Sequence, residues 1–266
     1  MMAFAQLGEL RITYRVEGRG PGLLLLHGAE ADHTMFDGLM AQLSDACTVI
    51  AFDQRDCGQT QNPAQWYSLV DLADDAARLI THLNLGRVHV FGTSLGGTIA
   101  QVLASRHPQK VDRLILGSTW RVGRRLADFN PSVAHDLAAL RADGRLHAPA
   151  IAEYFFSSGY LRAHPQAIEI FRSTSRTDAQ RARRAHMQAH PPEVDLSTVK
   201  APTLLLAGRQ DRLIPHEVSF AMASEIPCAE CVLVDRLPHV GAVEAPALVA
   251  AEILRFLATG EPELSD

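Results

Sequence analysis

A buried-strand pattern passes directly into a helical one at Val88-His89-Val90-Phe91-Gly92-Thr93-Ser94-Leu95-Gly96-Gly97, and this junction is the clearest indication of the fold. Its first six residues are apolar and β-branched enough to predict a strand, and residues 95–106 predict a helix. Gly92 and Gly96 flank the serine and allow a turn too tight for side chains at those two positions. Such an elbow places the hydroxyl of Ser94 at an exposed apex, which makes Ser94 the candidate nucleophile.

Further apolar runs ending in turn signals predict strands at residues 11–17, 23–27, 48–53, 111–117, 203–208 and 231–235. Runs such as Leu23 to Leu26 are continuously apolar, which is typical of strands covered on both faces. Helical patterns alternate with them at 68–83, 216–223 and 246–257, the first opened by a capping box of Ser68 and Asp71. The alternation predicts an α/β fold with a mostly parallel, doubly covered sheet.

The strand pattern stops between residues 120 and 196, where polar helical sequence is interrupted by aromatic residues. We expect a helical cap inserted after the strand at 111–117, with residues 1–119 and 197–266 forming the core domain. A chain of 266 residues suits one such domain with an insertion. Trp120, Phe155 and Phe156 are candidates for lining a substrate pocket beneath the cap.

Composition narrows the partners to small molecules. The net charge of −5 argues against nucleic acid, which requires a concentrated basic surface. No apolar run reaches the length of a membrane span, and the N-terminus lacks a basic region followed by an apolar one, so we expect a cytoplasmic protein. Cys228 and Cys231 have metal-ligand spacing but no second pair to complete a site. We expect neither a metal nor a cofactor, and the sequence leaves the oligomeric state open.

A serine nucleophile needs a general base, and the base needs an acidic partner that fixes its tautomer. Asp211 follows the predicted strand at 203–208, and His239 follows the strand at 231–235 after a short loop. The chain order Ser94, Asp211, His239 matches one known arrangement of serine triads. Position selects His239 among twelve histidines.

The oxyanion that forms during attack on a carbonyl needs preorganised donors. In this arrangement they are the backbone N–H of the residue after the nucleophile and one from the loop after an early strand. We therefore predict an oxyanion hole made by the N–H groups of Leu95 and Ala29, the latter just beyond His27-Gly28.

The chain resembles the α/β-hydrolase fold family over nearly its whole length. The matching pieces are His27-Gly28, Asp53 to Thr60, Gly92 to Gly97, Asp211 to Pro215, and His239 with Glu244-Ala245-Pro246. Within the family, the first half is similar to small-molecule esterases and enol-lactone hydrolases. Asp56 stands where the family has glycine and Thr60 replaces a serine, so we expect a locally reshaped loop. Glu30 would oppose an oxyanion, and we expect its carboxylate to point elsewhere.

The resemblance implies a serine hydrolase that cleaves a small carboxylic ester or lactone. The alternatives are a carbon–carbon bond hydrolase with the same triad and a weakly catalytic ligand-binding receptor. Residues 120–196 carry eleven arginines against eight carboxylates, while the remainder of the chain has a net charge of −8. Either these arginines select anionic substrates, or they are solvated above a hydrophobic lid. The arginines considered for the first role are Arg121, Arg124, Arg125, Arg176, Arg181, Arg183 and Arg184.

Overall fold

Eight strands form one mixed sheet in the computed structural model, which describes residues 2–172 and 176–259. They are β1 (Met2–Leu7), β2 (Leu10–Gly18), β3 (Gly22–Leu26), β4 (Thr48–Phe52), β5 (Val88–Thr93), β6 (Val111–Gly117), β7 (Thr203–Gly208) and β8 (Ala229–Val234). Their order across the sheet is β1-β2-β4-β3-β5-β6-β7-β8. β2 is antiparallel to β1 and β4, and the pairs from β4 to β8 are parallel, which confirms the predicted sheet.

Helices cover both faces of the sheet. They are α1 (Asp37–Leu43), α2 (Leu69–His82), α3 (Leu95–Arg106), α4 (Leu126–Phe129), α5 (Pro131–Arg141), α6 (Gly144–Ala152), α7 (Ser158–Ala163), α8 (Glu169–Arg172), α9 (Asp178–Ala189), α10 (His216–Phe220), α11 (Gly241–Glu244) and α12 (Pro246–Ala258). The predicted capping box is present, because the backbone N–H of Ser68 donates to Asp71 and Ser68 Oγ accepts from the backbone of Asp71.

The apolar run of β3 packs into two cores at once. Leu24 and Leu26 belong to the cluster that contains residues of α2 and α3, whereas Leu23 and Leu25 belong to the cluster with residues of α1 and α12. Successive side chains of a strand point to opposite faces, so both faces must be covered by helices for all four leucines to be buried. The continuous apolar pattern of β3 therefore has the predicted cause, which is that helices cover both faces of the sheet.

Short or edge elements differ from the sequence predictions. β1 was not predicted, because this edge strand exposes Met2 and Phe4 and buries only Ala5 and Leu7 among its apolar residues. α1 spans only seven residues and was also missed. The helix predicted at 216–223 ends as α10 at Phe220 and continues as a 3-10 turn, and β8 begins two residues before its predicted start.

Residues 120–196, called the cap segment below, connect β6 to β7 through α4 to α9. A small apolar cluster joins this segment to the core: Leu137 and Ile151 pack with Leu213 and Ile214, which follow β7. The cap segment therefore packs against the loop that follows β7. In the described part of the chain, no helix combines the length and apolar character needed to span a membrane.

Candidate active site

Ser94 occupies a strained backbone position between β5 and α3. Its φ of 53° and ψ of −124° are rarely adopted by residues with side chains and cost on the order of 1–3 kcal/mol. A Cβ added at Gly92 would overlap the carbonyl of Gly96, and one added at Gly96 would overlap the carbonyl of Leu26. The chain therefore forms the strand–turn–helix elbow, and close backbone approach requires glycine at both positions.

The structure brings Ser94, Asp211 and His239 together by hydrogen bonds. His239 Nε2 lies 3.1 Å from Ser94 Oγ, and His239 Nδ1 lies 2.9 Å from Asp211 Oδ2. The second carboxylate oxygen of Asp211 accepts the backbone N–H groups of Leu213 and Ile214 at 2.9 and 2.8 Å. Asp211 can thus hold the imidazole with its proton on Nδ1, which leaves Nε2 able to accept the serine proton.

Ala29 and Leu95 line the same cavity as Ser94. Leu95 is the first residue of α3, where backbone N–H groups have no partner within the helix. The loop before Ala29 is held by His27: its Nδ1 lies 2.8 Å from the carbonyl oxygen of Gly28, and its Nε2 accepts the N–H of Gln54 at 3.2 Å. These contacts assign the imidazole proton of His27 to Nδ1.

Glu30 also lines the cavity, but its carboxylate is bound by arginines of the cap segment. Arg176 Nη1 lies 3.3 Å from one oxygen, and Arg141 Nη2 lies 3.6 Å from the other. The charge that would oppose an oxyanion is thus partly neutralised by ion pairs.

The cavity above Ser94 has a volume of about 400 Å³. Trp120, Phe155 and Phe156, the candidates for a substrate pocket, all line it. The ring of Phe155 meets the ring of His239 edge-on at 5.5 Å, and its backbone carbonyl accepts the N–H of Val240. Other large apolar lining residues are Met35, Leu69, Leu95, Val122, Leu126, Leu137, Ile170, Phe171, Leu213, Ile214, Val240 and Val243.

The loop at residues 53–60 departs locally from the family pattern at Asp56. This residue adopts a positive φ of 57°, the conformation that favours glycine, and its backbone N–H is bound by Asn62. Arg183 donates two hydrogen bonds to its buried carboxylate, at 2.8 and 2.6 Å. Burial alone would raise the pKa of Asp56, but the hydrogen bonds and charge of Arg183, together with hydrogen bonds to Tyr67 and Asn62, outweigh it and lower that pKa below its ordinary value.

Four of the predicted cap arginines bind acceptors in the core. Arg121 donates to the carboxylate of Glu225, and Arg183 to that of Asp56. Arg176 and Arg184 donate to backbone carbonyls of the core. Arg181 contacts Asp178, while Arg124 and Arg125 lie at the cavity lining. Sequence reasoning identified these arginines but not their partners, because charge alone does not specify a contact across the fold.

Among the residues that the structure describes, one group of side chains could hold a metal ion. Asp32, His33 and Asp53 each offer a ligand atom, all within 4.8 Å of one another. His33 Nδ1 lies 2.6 Å from Asp53 Oδ1, so the cluster is already hydrogen-bonded internally. The thiols of Cys228 and Cys231 are free and exposed.

The fold agrees with comparisons to known proteins. A model of the alpha/beta hydrolase fold family matches residues 21–148. An uncharacterized protein of Mycobacterium tuberculosis is 36% identical over 157 residues, which make up 57% of this chain and 46% of that protein. The chain thus spans about half the length of this curated relative. A poly(3-hydroxyalkanoate) depolymerase of Ectopseudomonas oleovorans is 28% identical over 239 residues, covering 88% of this chain and 83% of the depolymerase.

The likeness extends to solved structures. A thermophilic esterase of Thermogutta terrifontis superposes with a TM-score of 0.80 and 27% identity, covering 97% of this chain and 98% of the esterase. The family match, the sheet order and the elbow at Ser94 all agree. The chain has the α/β-hydrolase fold.

Proposed function

We propose that this chain is a serine hydrolase that cleaves a small-molecule carboxylic ester or lactone through an acyl-enzyme intermediate. The observation that carries the proposal is the hydrogen-bonded series Ser94, His239 and Asp211, opening into a cavity of about 400 Å³. A cavity of this size accommodates a small organic ligand.

In the acylation step, Ser94 Oγ attacks the carbonyl carbon while its proton passes to His239 Nε2. The carbonyl oxygen becomes an oxyanion that accepts hydrogen bonds from the backbone N–H groups of Ala29 and Leu95. Each such donor typically stabilises the transition state by about 3 kcal/mol. Asp211 stabilises the imidazolium. When the tetrahedral intermediate collapses, the bond to the alkoxide breaks, and His239 returns the proton to the leaving oxygen.

Deacylation repeats these steps with water. His239 Nε2 takes a proton from the water that attacks the acyl carbon, and the second tetrahedral intermediate releases the carboxylic acid and restores Ser94. For a lactone, acid and alcohol are parts of one product molecule.

The cavity supports an apolar acyl group. Trp120, Phe155 and Phe156 surround the space above Ser94, and burying a carboxylate among such side chains without a partner is costly. An esterase among the structural relatives supports an ester as the scissile group.

Turnover of p-nitrophenyl hexanoate tests the proposal. We expect wild-type protein to release p-nitrophenol catalytically and Ser94→Ala to lose this activity. A protein that binds the ester in calorimetry yet releases no p-nitrophenol would be a receptor and would contradict the proposal.

The acyl preference is tested by a matched anionic ester, p-nitrophenyl adipate, whose chain ends in a carboxylate. We expect kcat/KM to favour the neutral hexanoate by about tenfold or more, because the carboxylate would lose its hydration. A preference for the adipate that disappears at high salt would instead assign the arginines at the cavity to substrate binding.

A further inference from the structure

Two arginines of the cap segment donate to the carbonyl of Ala29. Arg176 Nη2 lies 3.1 Å from this oxygen, and Arg184 Nη2 lies 3.4 Å from it. Both side chains are largely buried, with that of Arg176 12% exposed. Since Ala29 is the proposed oxyanion donor from the core, the cap segment contacts the residue that carries this N–H.

The contacts fix both peptide groups of Ala29. A trans peptide is planar, so the N–H of Ala29 points opposite to the carbonyl of Gly28, which is held by His27. The next peptide carbonyl, that of Ala29 itself, is held by Arg176 and Arg184. With both planes fixed, the residue has little freedom to turn its N–H away from the cavity.

Arg176 also ties this loop to its surroundings. Its Nε donates to the carbonyl of Asp56 at 2.8 Å, and its Nη1 binds Glu30, the residue after Ala29. One guanidinium therefore bridges two segments of the core, the one that contains Ala29 and Glu30 and the one that contains Asp56. Arginine can do this because its donors are held in a rigid planar fork.

The positive charge in this corner favours anions nearby. Arg176 Nη2 lies 3.2 Å from the sulfur of Cys57, a buried thiol. Burial would raise the pKa of Cys57, but the charge of Arg184, with His27 and Arg176, lowers it to about 7. The same field favours negative charge developing beside Ala29.

We propose that Arg176 is a positioning residue of the oxyanion hole, so that the hole is complete only while the cap segment is docked on the core. The inference rests on the proposed function. It assigns to a cap arginine a role in stabilising the transition state rather than in holding the substrate.

The experiment compares Arg176→Gln and Arg176→Lys with a matched control, Arg121→Gln. Arg121 is also a cap arginine that binds one carboxylate and two backbone carbonyls, those of Val122 and Val194. Steady-state hydrolysis of p-nitrophenyl hexanoate gives kcat and KM. A trifluoromethyl ketone with the same alkyl chain forms an oxyanion on Ser94, and the plain methyl ketone serves as its ground-state counterpart.

We expect Arg176→Gln to lower kcat on the order of 10- to 100-fold with KM nearly unchanged, because a displaced donor loses part of its effect. The inhibition constant of the trifluoromethyl ketone should rise by the same factor, while methyl ketone affinity stays constant. Arg176→Lys keeps the charge without the fork and should recover part of kcat. Arg121→Gln should remain within about threefold of wild type.

Equal losses of kcat in Arg176→Gln and Arg121→Gln would overturn the inference while leaving the proposed function intact. So would an equal loss of affinity for both ketones in Arg176→Gln. Should Arg176→Gln not fold, wild-type kcat in a folded Arg176→Lys would overturn it as well. Wild-type protein that neither hydrolyses the ester nor binds the trifluoromethyl ketone would instead overturn the proposed function, and this inference with it.

Discussion

The core and the cap segment enclose one cavity, but they are held in different ways. On the core side, Ser94 is placed by a tight backbone turn and Asp211 by two backbone N–H groups. On the cap side, Arg176 and Arg183 reach core carbonyls and a carboxylate through long side chains. The proposed catalytic groups are therefore positioned by short backbone contacts, whereas the cap segment depends, besides its apolar cluster with the core, on charged contacts that mutation or pH can remove.

The largest effect is expected on the core side, from Asp211→Asn. The amide would favour the wrong tautomer of His239, and kcat should fall by about 10⁴-fold, as such a change does in known serine triads. Asp235→Asn is the control, because Asp235 is an exposed acid paired only on the surface with Arg209. A loss below tenfold in ester hydrolysis by Asp211→Asn would assign the acid role to another carboxylate.

The second largest effect is also expected on the core side, from a substitution in the backbone turn around Ser94. Gly96→Ala would press a methyl group into the carbonyl of Leu26, and we expect a loss of about 3 kcal/mol or more in the free energy of unfolding. Gly86→Ala is the matched control, since no atom lies within 4 Å of its added Cβ. Urea unfolding measures both variants, and equal stabilities would show that the elbow does not require glycine at position 96.

The cap side is tested by Arg183→Gln, which leaves the buried carboxylate of Asp56 without its cation. We expect a loss of about 2 kcal/mol in the free energy of unfolding at neutral pH. Because the folded pKa of Asp56 is lowered, this contribution is present above the ordinary carboxyl range and disappears as pH falls through the lower folded value.

The difference in the free energy of unfolding between wild type and Arg183→Gln should therefore become smaller below about pH 4. Arg255→Gln is the control, because its pairs with Glu230 and Glu252 lie at the surface and should contribute less than about 1 kcal/mol. A difference that stays constant down to pH 3 would show that Arg183 does not stabilise the fold through the carboxylate of Asp56.

The smallest effect concerns the start of the loop at 53–60, where His33 binds Asp53. This hydrogen bond raises the pKa of His33, so its stabilisation is complete below the ordinary histidine value and is lost as pH rises through the raised folded value. Wild-type stability should fall by about 1 kcal/mol more than that of His33→Gln between pH 6 and pH 9. His82→Gln, at an exposed histidine, should follow wild type, whereas parallel curves for wild type and His33→Gln would contradict the assignment.

Sequence alone predicted the elements whose determinants are local. Glycine spacing around Ser94 fixes the elbow within six residues, and strand-end positions led to Asp211 and His239 without any knowledge of the contacts. The capping box at Ser68 and the apolar run of β3 are likewise local signals.

Contacts across the fold could not be predicted in the same way. Arg183 and Asp56 are 127 residues apart, and neither position indicates its partner by spacing or pattern. β1 was missed because only one face of this edge strand is buried, which leaves a weak alternation. The unusual acid at position 56 was visible in the sequence, but its positive φ and its cation became apparent only in the structure.

Reaction with a fluorophosphonate tests whether Ser94 is the nucleophile, because this reagent modifies a serine that is activated by a neighbouring base. We predict that mass spectrometry will find the phosphonyl group on the peptide containing Ser94 in wild-type protein and on no peptide of Ser94→Ala. Labelling that persists in Ser94→Ala, or a folded wild-type protein that is not labelled at Ser94, would contradict the account.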